Sequence, residues 1–315
     1  MSETMISVQN LTKDYGGGRG VFDVSLDIRE GEVFGYLGTN GSGKTTTIRH
    51  MMGFLKADGG TVRVNGLDPW THSPEVMKNV SYIPGEIAFP DLKTGTDFFK
   101  VQAQFLGVRD FTYMNHLIDL LGLDPSAVLK RMSKGMKQKT AIVAALMGNR
   151  EVLILDEPTT GLDPLMRETF LELIREEKAK GRTIFMSSHI FEEIEEVCDR
   201  VAIINGGHIE GVLNLSEFRH SSVHTFSVEL ADEAAAKTFC DRLGKAGIGR
   251  VTGSDSKPDN KSEEKGKPGT TVRFDVTPGG VDEAFRAMEG LQVISLTETH
   301  PDLEDYFMDV IGGLK

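Results

Sequence analysis

Cysteine is nearly absent from this 315-residue chain: Cys198 and Cys240 are the only two. That leaves no disulfide framework and no metal-ligand spacing, and it fits a reducing compartment. Also missing is any block of lysine and arginine gathered on one expected element; with a net charge of −12, this argues against a nucleic-acid face. Long apolar runs are lacking too. The longest nearly uncharged one, Thr140 to Gly148, falls far short of the roughly 20 residues that span a bilayer. If the protein works at a membrane, another chain must supply the spanning helices. Met1-Ser2-Glu3-Thr4-Met5 has no basic region followed by an apolar core, so no secretory signal is expected. What is present is ordinary for a soluble globular protein, 39% apolar and 26% charged residues. The length allows one domain of about 200 residues with a full core and a smaller one beside it.

The stretch from Glu32 to Arg49 organises the rest. Val33 to Leu37 is a short apolar run that reads as a buried strand, and Ile48 and Met51 belong to a helical run. Between them lies Gly38-Thr39-Asn40-Gly41-Ser42-Gly43-Lys44-Thr45-Thr46, which is G-x-x-x-x-G-K-[ST] in its strand, loop and helix setting. Glycines at 38, 41 and 43 let the loop curl so that backbone N–H groups converge on phosphate oxygens, helped by the N-terminal end of the helix. Lys44 then neutralises the β- and γ-phosphates, and the Thr45 hydroxyl holds Mg²⁺.

Other stretches place chemistry around that loop. Tyr15 sits beside Gly16-Gly17-Gly18, a turn able to hold an aromatic ring over a base. Val80 to Ile83 reads as a strand stopping at Pro84-Gly85-Glu86, and from Thr94 to about Leu121 the pattern is helical, with Phe98, Phe99, Val101, Phe105, Leu117, Leu120 and Leu121. Helices between two core strands predict an inserted helical subdomain, about residues 87–148. Ser133 stands where an N-cap belongs, and Ser133-Lys134-Gly135 opens a helix, a second anion site. Val152 to Leu155 ends in Asp156-Glu157-Pro158. Two acids at the end of a buried strand need a cation or a site; Mg²⁺ suits Asp156, which leaves Glu157 free to polarise a water. Thr183 to Ser188 is a further core strand with His189 at its tip, on the edge where open α/β sheets bind ligands.

Together these residues strongly resemble the nucleotide-binding subunit of an ABC transporter over roughly the first 215 positions. Tyr15 stands where the family stacks adenine, Gly38 to Thr45 form Walker A, and Met132-Ser133-Lys134-Gly135-Met136 occupies the signature. Leu155-Asp156-Glu157-Pro158 closes Walker B, Gly161-Leu162-Asp163 forms the D-loop, and His189 is the switch histidine. Two positions depart from the family. Lys134 and Met136 replace a glycine and the glutamine of L-S-G-G-Q, a variant similar to ATPases of the drug-, antibiotic- and lipid-exporter type. Gly85 follows the proline where the family has glutamine, so Glu86 is the residue left to touch Mg²⁺. The resemblance implies an α/β P-loop NTPase of ABC ATPase type that binds ATP and Mg²⁺ in a head-to-tail dimer. Walker A of one subunit faces Ser133 and Gly135 of the other, closing on binding and releasing on hydrolysis, while Glu157 orients the water and His189 contacts the γ-phosphate.

After Leu215 the pattern restarts, giving domains 1–215 and 216–315. Strands at 225–230, 248–252, 271–276 and 291–296, with helices at 233–243 and 282–289, predict a small α+β ferredoxin-like domain. Residues 254–269 read as a mobile hairpin loop, and Pro301 to Ile311 as a last helix similar to the tail of many exporter ATPases. No catalytic constellation is found there, and regulation or dimer contact is the expected role.

The function expected is an ATPase powering a membrane exporter, on the inner face of the cell membrane through an integral permease and paired with a second ATP-binding subunit, a homodimer if both copies are this chain. The alternative is a soluble ABC-type switch acting on ribosomes or DNA. Those usually carry two cassettes or long coiled coils, and this chain has one cassette and no sustained heptads. A GTPase would need N-K-x-D, and Asn260-Lys261-Ser262-Glu263 ends in glutamate.

Overall fold

Apolar and polar residues alternate along Thr4–Asp14 (β1) and Gly20–Arg29 (β2), and the two strands pair antiparallel with one face buried. The computed structural model describes residues 3–221, 224–247, 250–255, 270–299 and 303–312. Val33–Leu37 (β3) is buried along its whole length, as an apolar run is inside a parallel sheet. Lys44–Met51 (α1) follows the glycine loop, and Gly59–Val64 (β4) pairs with the other edge of β1. Ser73–Met77 (α2) and Val80–Ile83 (β5) come next.

Between β5 and the next core strand the chain is helical, but not as one unbroken pattern. The helical pattern from Thr94 to Leu121 resolves into two helices: Gly95–Leu106 (α3), opened by a Thr94/Asp97 capping box, and Thr112–Leu120 (α4). Gly107 at φ +71° ends the first, and the Asp110 carboxylate accepts from the Thr112 amide at the start of the second. Left-handed glycine after a helix is a stop signal that hydrophobic periodicity does not register. The apolar pattern is also only partly inward: Phe98, Phe99, Leu117 and Leu121 are buried, whereas Phe105 is 82% exposed. Lys134–Leu146 (α5), capped by Ser133, completes this group.

Val152–Asp156 (β6), Pro164–Ala179 (α6), Thr183–Ser188 (β7), Phe191–Val197 (α7), Arg200–Asn205 (β8) and His208–Asn214 (β9) return the chain to the sheet. Its strand order is β5-β6-β7-β3-β8-β9, parallel except for the final β8–β9 hairpin. One core joins both sheets through α1: Ile48 and Met51 bury with Ile6, Val8 and Val64 on one side and with Phe34, Tyr36, Ile154 and Phe185 on the other. All five parallel strands end on the same edge, and register places Leu37 beside Ser188 and Asp156 beside Ser187.

Two compact units divide at Ser216/Glu217, within Leu215–Ser221 (α8). The second, Glu217–Asp309, runs through His224–Leu230 (β10), Glu233–Ala246 (α9), Arg250–Asp255 (β11), Thr270–Val276 (β12), Val281–Ala287 (α10) and Val293–Thr299 (β13) and ends within Leu303–Gly312 (α11), whose last residues group with the first unit. Its antiparallel order β11-β12-β10-β13 is that of a ferredoxin-like β-α-β-β-α-β sandwich. Phe226, Val228, Phe239, Leu243, Val272 and Phe274 form its core. The last strand starts two residues later than expected. Residues 248–249, most of the expected loop and Asn260 to Glu263 lie outside the described residues.

Candidate functional site

The glycine loop turns where a side chain has no room. A Cβ on Gly38 would lie 2.5 Å from both the Ile204 carbonyl oxygen and Ser42 Oγ, and one on Gly43 would meet Val21 Cγ1 at 2.7 Å. Gly43, at φ +114°, caps α1 without any side-chain hydrogen bond, so the first N–H groups of the helix face the cleft as an anion site does. Lys44 is 5% exposed and folds back over the loop. Its Nζ donates to the carbonyls of Gly38 (2.6 Å) and Thr39 (3.1 Å) and lies 3.2 Å from Glu157 Oε1.

The acids of β6 meet this loop across β7. Asp156 is fully buried; its Oδ2 accepts from Thr45 Oγ1 at 2.8 Å and its Oδ1 from Ser187 Oγ at 2.7 Å. Hydroxyl and carboxylate oxygens side by side are donors that suit a hard divalent cation. Burial, and next the Asp156 charge, push the Tyr82 phenol up to about 12. Glu157 takes φ +47°, a left-handed backbone that costs a non-glycine residue about 1–3 kcal/mol and gathers at working sites. The Ser187 carbonyl and hydroxyl both accept from its amide, at 3.2 and 3.0 Å. Held so, its Oε2 is 3.1 Å from His189 Nδ1 and accepts from Thr160 Oγ1 at 3.4 Å. Lys44, Asp156, Glu157 and His189 therefore stand together on one sheet edge.

Not every expected site residue joins them. A cleft of about 280 Å³ is lined by Tyr15, Asn40, Gly41, Gly43, Lys44, Thr45, Thr46 and Glu157. Thr39 contributes its carbonyl, and Ser42 is buried beneath. Ser133 and Gly135 are not in this lining. The Ser133 hydroxyl accepts from the Met136 amide at 3.2 Å, and Gly135 lies so close to the D-loop that a Cβ would be 2.9 Å from the Gly161 carbonyl oxygen. Asp163 is also outside it, capping α6 through the Met166 amide at 3.0 Å, and Asp156 and His189 reach the lining only through Thr45 and Glu157. Glu86 is exposed, and it is Gly85 that lies over the Asp156 carboxylate, its Cβ position 3.2 Å from Oδ2.

Three contributors escape a reading by motif. Arg19 lines the cleft with Tyr15 because the turn is closed by the Tyr15 amide donating to the Arg19 carbonyl at 2.9 Å; a lone cation after a glycine triplet is the only sequence signal. Ser187 and Thr160 hold Asp156 and Glu157. A hydroxyl residue ending an apolar strand was the clue for Ser187.

Residues 21–160 match the family model described as ABC transporter. The bacitracin transport ATP-binding protein BcrA of Enterococcus faecalis is 30% identical, covering 99% of this chain and 97% of that protein. The daunorubicin/doxorubicin resistance ATP-binding protein DrrA of Streptomyces peucetius is 31% identical over 90% of this chain and 92% of its own length. Among solved structures, an ATP-binding subunit of an ABC transporter aligns with TM-score 0.62 at 31% identity, covering 69% of this chain and 92% of that one. With the glycine loop, the paired acids and the histidine assembled on one edge, the chain belongs to the ABC transporter family, as an ATPase of its ATP-binding type.

Proposed function

We propose that this chain powers a membrane exporter by closing head-to-tail on a second copy, ATP lying between the cleft of one and Ser133 and Gly135 of the other. What carries the reading is the split just described: Lys44, Asp156, Glu157 and His189 gather through direct contacts, while the signature turn packs on the D-loop of its own chain. Tyr15 stacks on adenine. Glu157 orients the attacking water and His189 contacts the γ-phosphate. Thr45 and Asp156 would hold Mg²⁺, which when bound neutralises charge on the phosphate oxygens; Glu86 is the nearest replacement for the glutamine that Gly85 displaces. Among the described residues no helix is long and apolar enough to cross a membrane, so an integral permease supplies the path. The bacitracin and daunorubicin/doxorubicin relatives favour an exported drug-like compound.

Affinity capture of the tagged chain from membranes is expected to bring down one integral subunit that raises ATP turnover. A chain that never associates with a membrane protein, yet turns over ATP with a ribosome or DNA, would replace this reading with the soluble switch. Ser133→Arg is expected to leave single-chain ATP binding within about twofold but to abolish ATP-dependent pairing in light scattering, since an N-cap loss costs only about 1 kcal/mol whereas a bulky cation blocks the face. Pairing at wild-type ATP concentrations would show the interface lies elsewhere. Among the described residues, none after 215 lines the cleft, so a chain ending at 215 is expected to bind ATP with unchanged affinity by titration; a folded truncation without binding would make that segment part of the site.

A further inference from the structure

We infer that Glu193, a buried carboxylate of α7, is a positioning residue that fixes the Glu157–His189 pair by gripping the chain beside each member. The inference rests on the roles given above to Glu157 and His189. Glu193 is 1% exposed, and an unneutralised carboxylate at such a place is costly, so its partners define its purpose. One is Ser188, whose Oγ donates to Oε2 at 2.9 Å and accepts from the Ile190 amide at 3.0 Å. That hydroxyl thus brackets His189 from both sides. A second neighbour is the buried Thr159 hydroxyl, two residues beyond Glu157, which favours the charged form of the Glu193 carboxylate. The third is Arg167 on α6, with Nε 3.2 Å from Oε1.

One carboxylate therefore ties the tip of the strand that carries His189 to the helix that Asp163 caps, with the turn after Glu157 beside it. The two residues it flanks approach to 3.1 Å. At that range a shift of about 1 Å can cost about a hundredfold in rate. Burial is the largest influence on Glu193 and raises its pKa; the two hydroxyls, Arg167 and His189 pull the other way and favour the charged form. A bare structural explanation would be that Glu193 only neutralises Arg167.

The test is Glu193→Gln, alone and with Arg167→Gln, measured by steady-state ATP turnover and fluorescent-nucleotide titration. Glutamine keeps the size but loses the charge and one of the two acceptor oxygens. For Glu193→Gln, kcat is expected to fall about tenfold with KM and ATP affinity within about twofold, and the double variant stays as slow. Wild-type kcat in the single variant, or recovery of kcat in the double variant, overturns the inference. Should Glu193→Gln fail to fold, Ser188→Ala leaves the ion pair and is expected to lower kcat about threefold; an unchanged kcat there overturns it equally. Glu157→Gln run beside them separates the layers. If it is as active as wild type, the site assignment beneath the inference falls; if it is inactive while Glu193→Gln is fully active, only the positioning role falls.

Discussion

Glu157→Gln is expected to lower ATP turnover at least about tenfold, or about 1.4 kcal/mol of barrier, with no loss of ATP binding. The carboxylate stands 3.2 Å from Lys44 Nζ and 3.1 Å from the His189 ring, on a backbone held at φ +47° by two hydrogen bonds to Ser187. Glutamine keeps the length and one acceptor oxygen, so the packing survives and the polarising charge does not. A weaker base orients water without drawing off its proton, and general-base contributions of this kind run to about a hundredfold or more. Affinity should hold because the lost charge is negative in a cleft built for a polyanion, and Lys44 is released from a competing partner. Nucleotide-loaded pairs should then persist long enough to be resolved by light scattering. Turnover near wild type would remove Glu157 from its role, and loss of binding with turnover would point to a collapsed loop instead.

How much of this site could be read in the sequence depends on whether its parts are neighbours in the chain. Gly38 to Thr45 are contiguous, and the strand, glycine loop and helix expected around them are all found. Asp156, Glu157 and His189 were legible because each ends an apolar strand, and parallel strands share an edge. What escaped are contacts that the fold creates. Ser187 and Asp156 are 31 positions apart, and only the pairing of β6 with β7 brings one hydroxyl to both acids. Glu193 is one of four glutamates between Phe191 and Val197, with nothing in the sequence to single it out, yet it faces inward to Ser188. Periodicity likewise ran through Gly107, where a left-handed residue stops the helix, and it counted Phe105 with residues that are buried. In the second unit the alternation of β10 and β12 was clear because Phe226 and Phe274 pair directly across the sheet. Strand β13, exposed from Val293 to Glu298, gave no comparable signal, and its start was misplaced.

Lys44→Ala is expected to weaken ATP binding at least about a hundredfold, or about 2.7 kcal/mol. Lys44 is the cation that the loop itself supplies, and charge-assisted hydrogen bonds to phosphate are each worth about 1.5–3 kcal/mol. Its Nζ already sits among the carbonyls of Gly38 and Thr39, folded back over the glycine loop. Alanine leaves those amides and the uncapped start of α1 in place, so some phosphate affinity remains from the helix end alone. The loss should be shared by ADP and be nearly absent for adenosine, because the Tyr15 side of the cleft keeps its contacts. Folding should be little affected: Glu157 loses its ion-pair partner but is 21% exposed and can be solvated. Isothermal titration with the three ligands, beside a urea melt, separates these outcomes. Equal weakening of adenosine and ATP would mean that the loop as a whole had moved, and unchanged ATP affinity would mean that the triphosphate is held somewhere other than this curl.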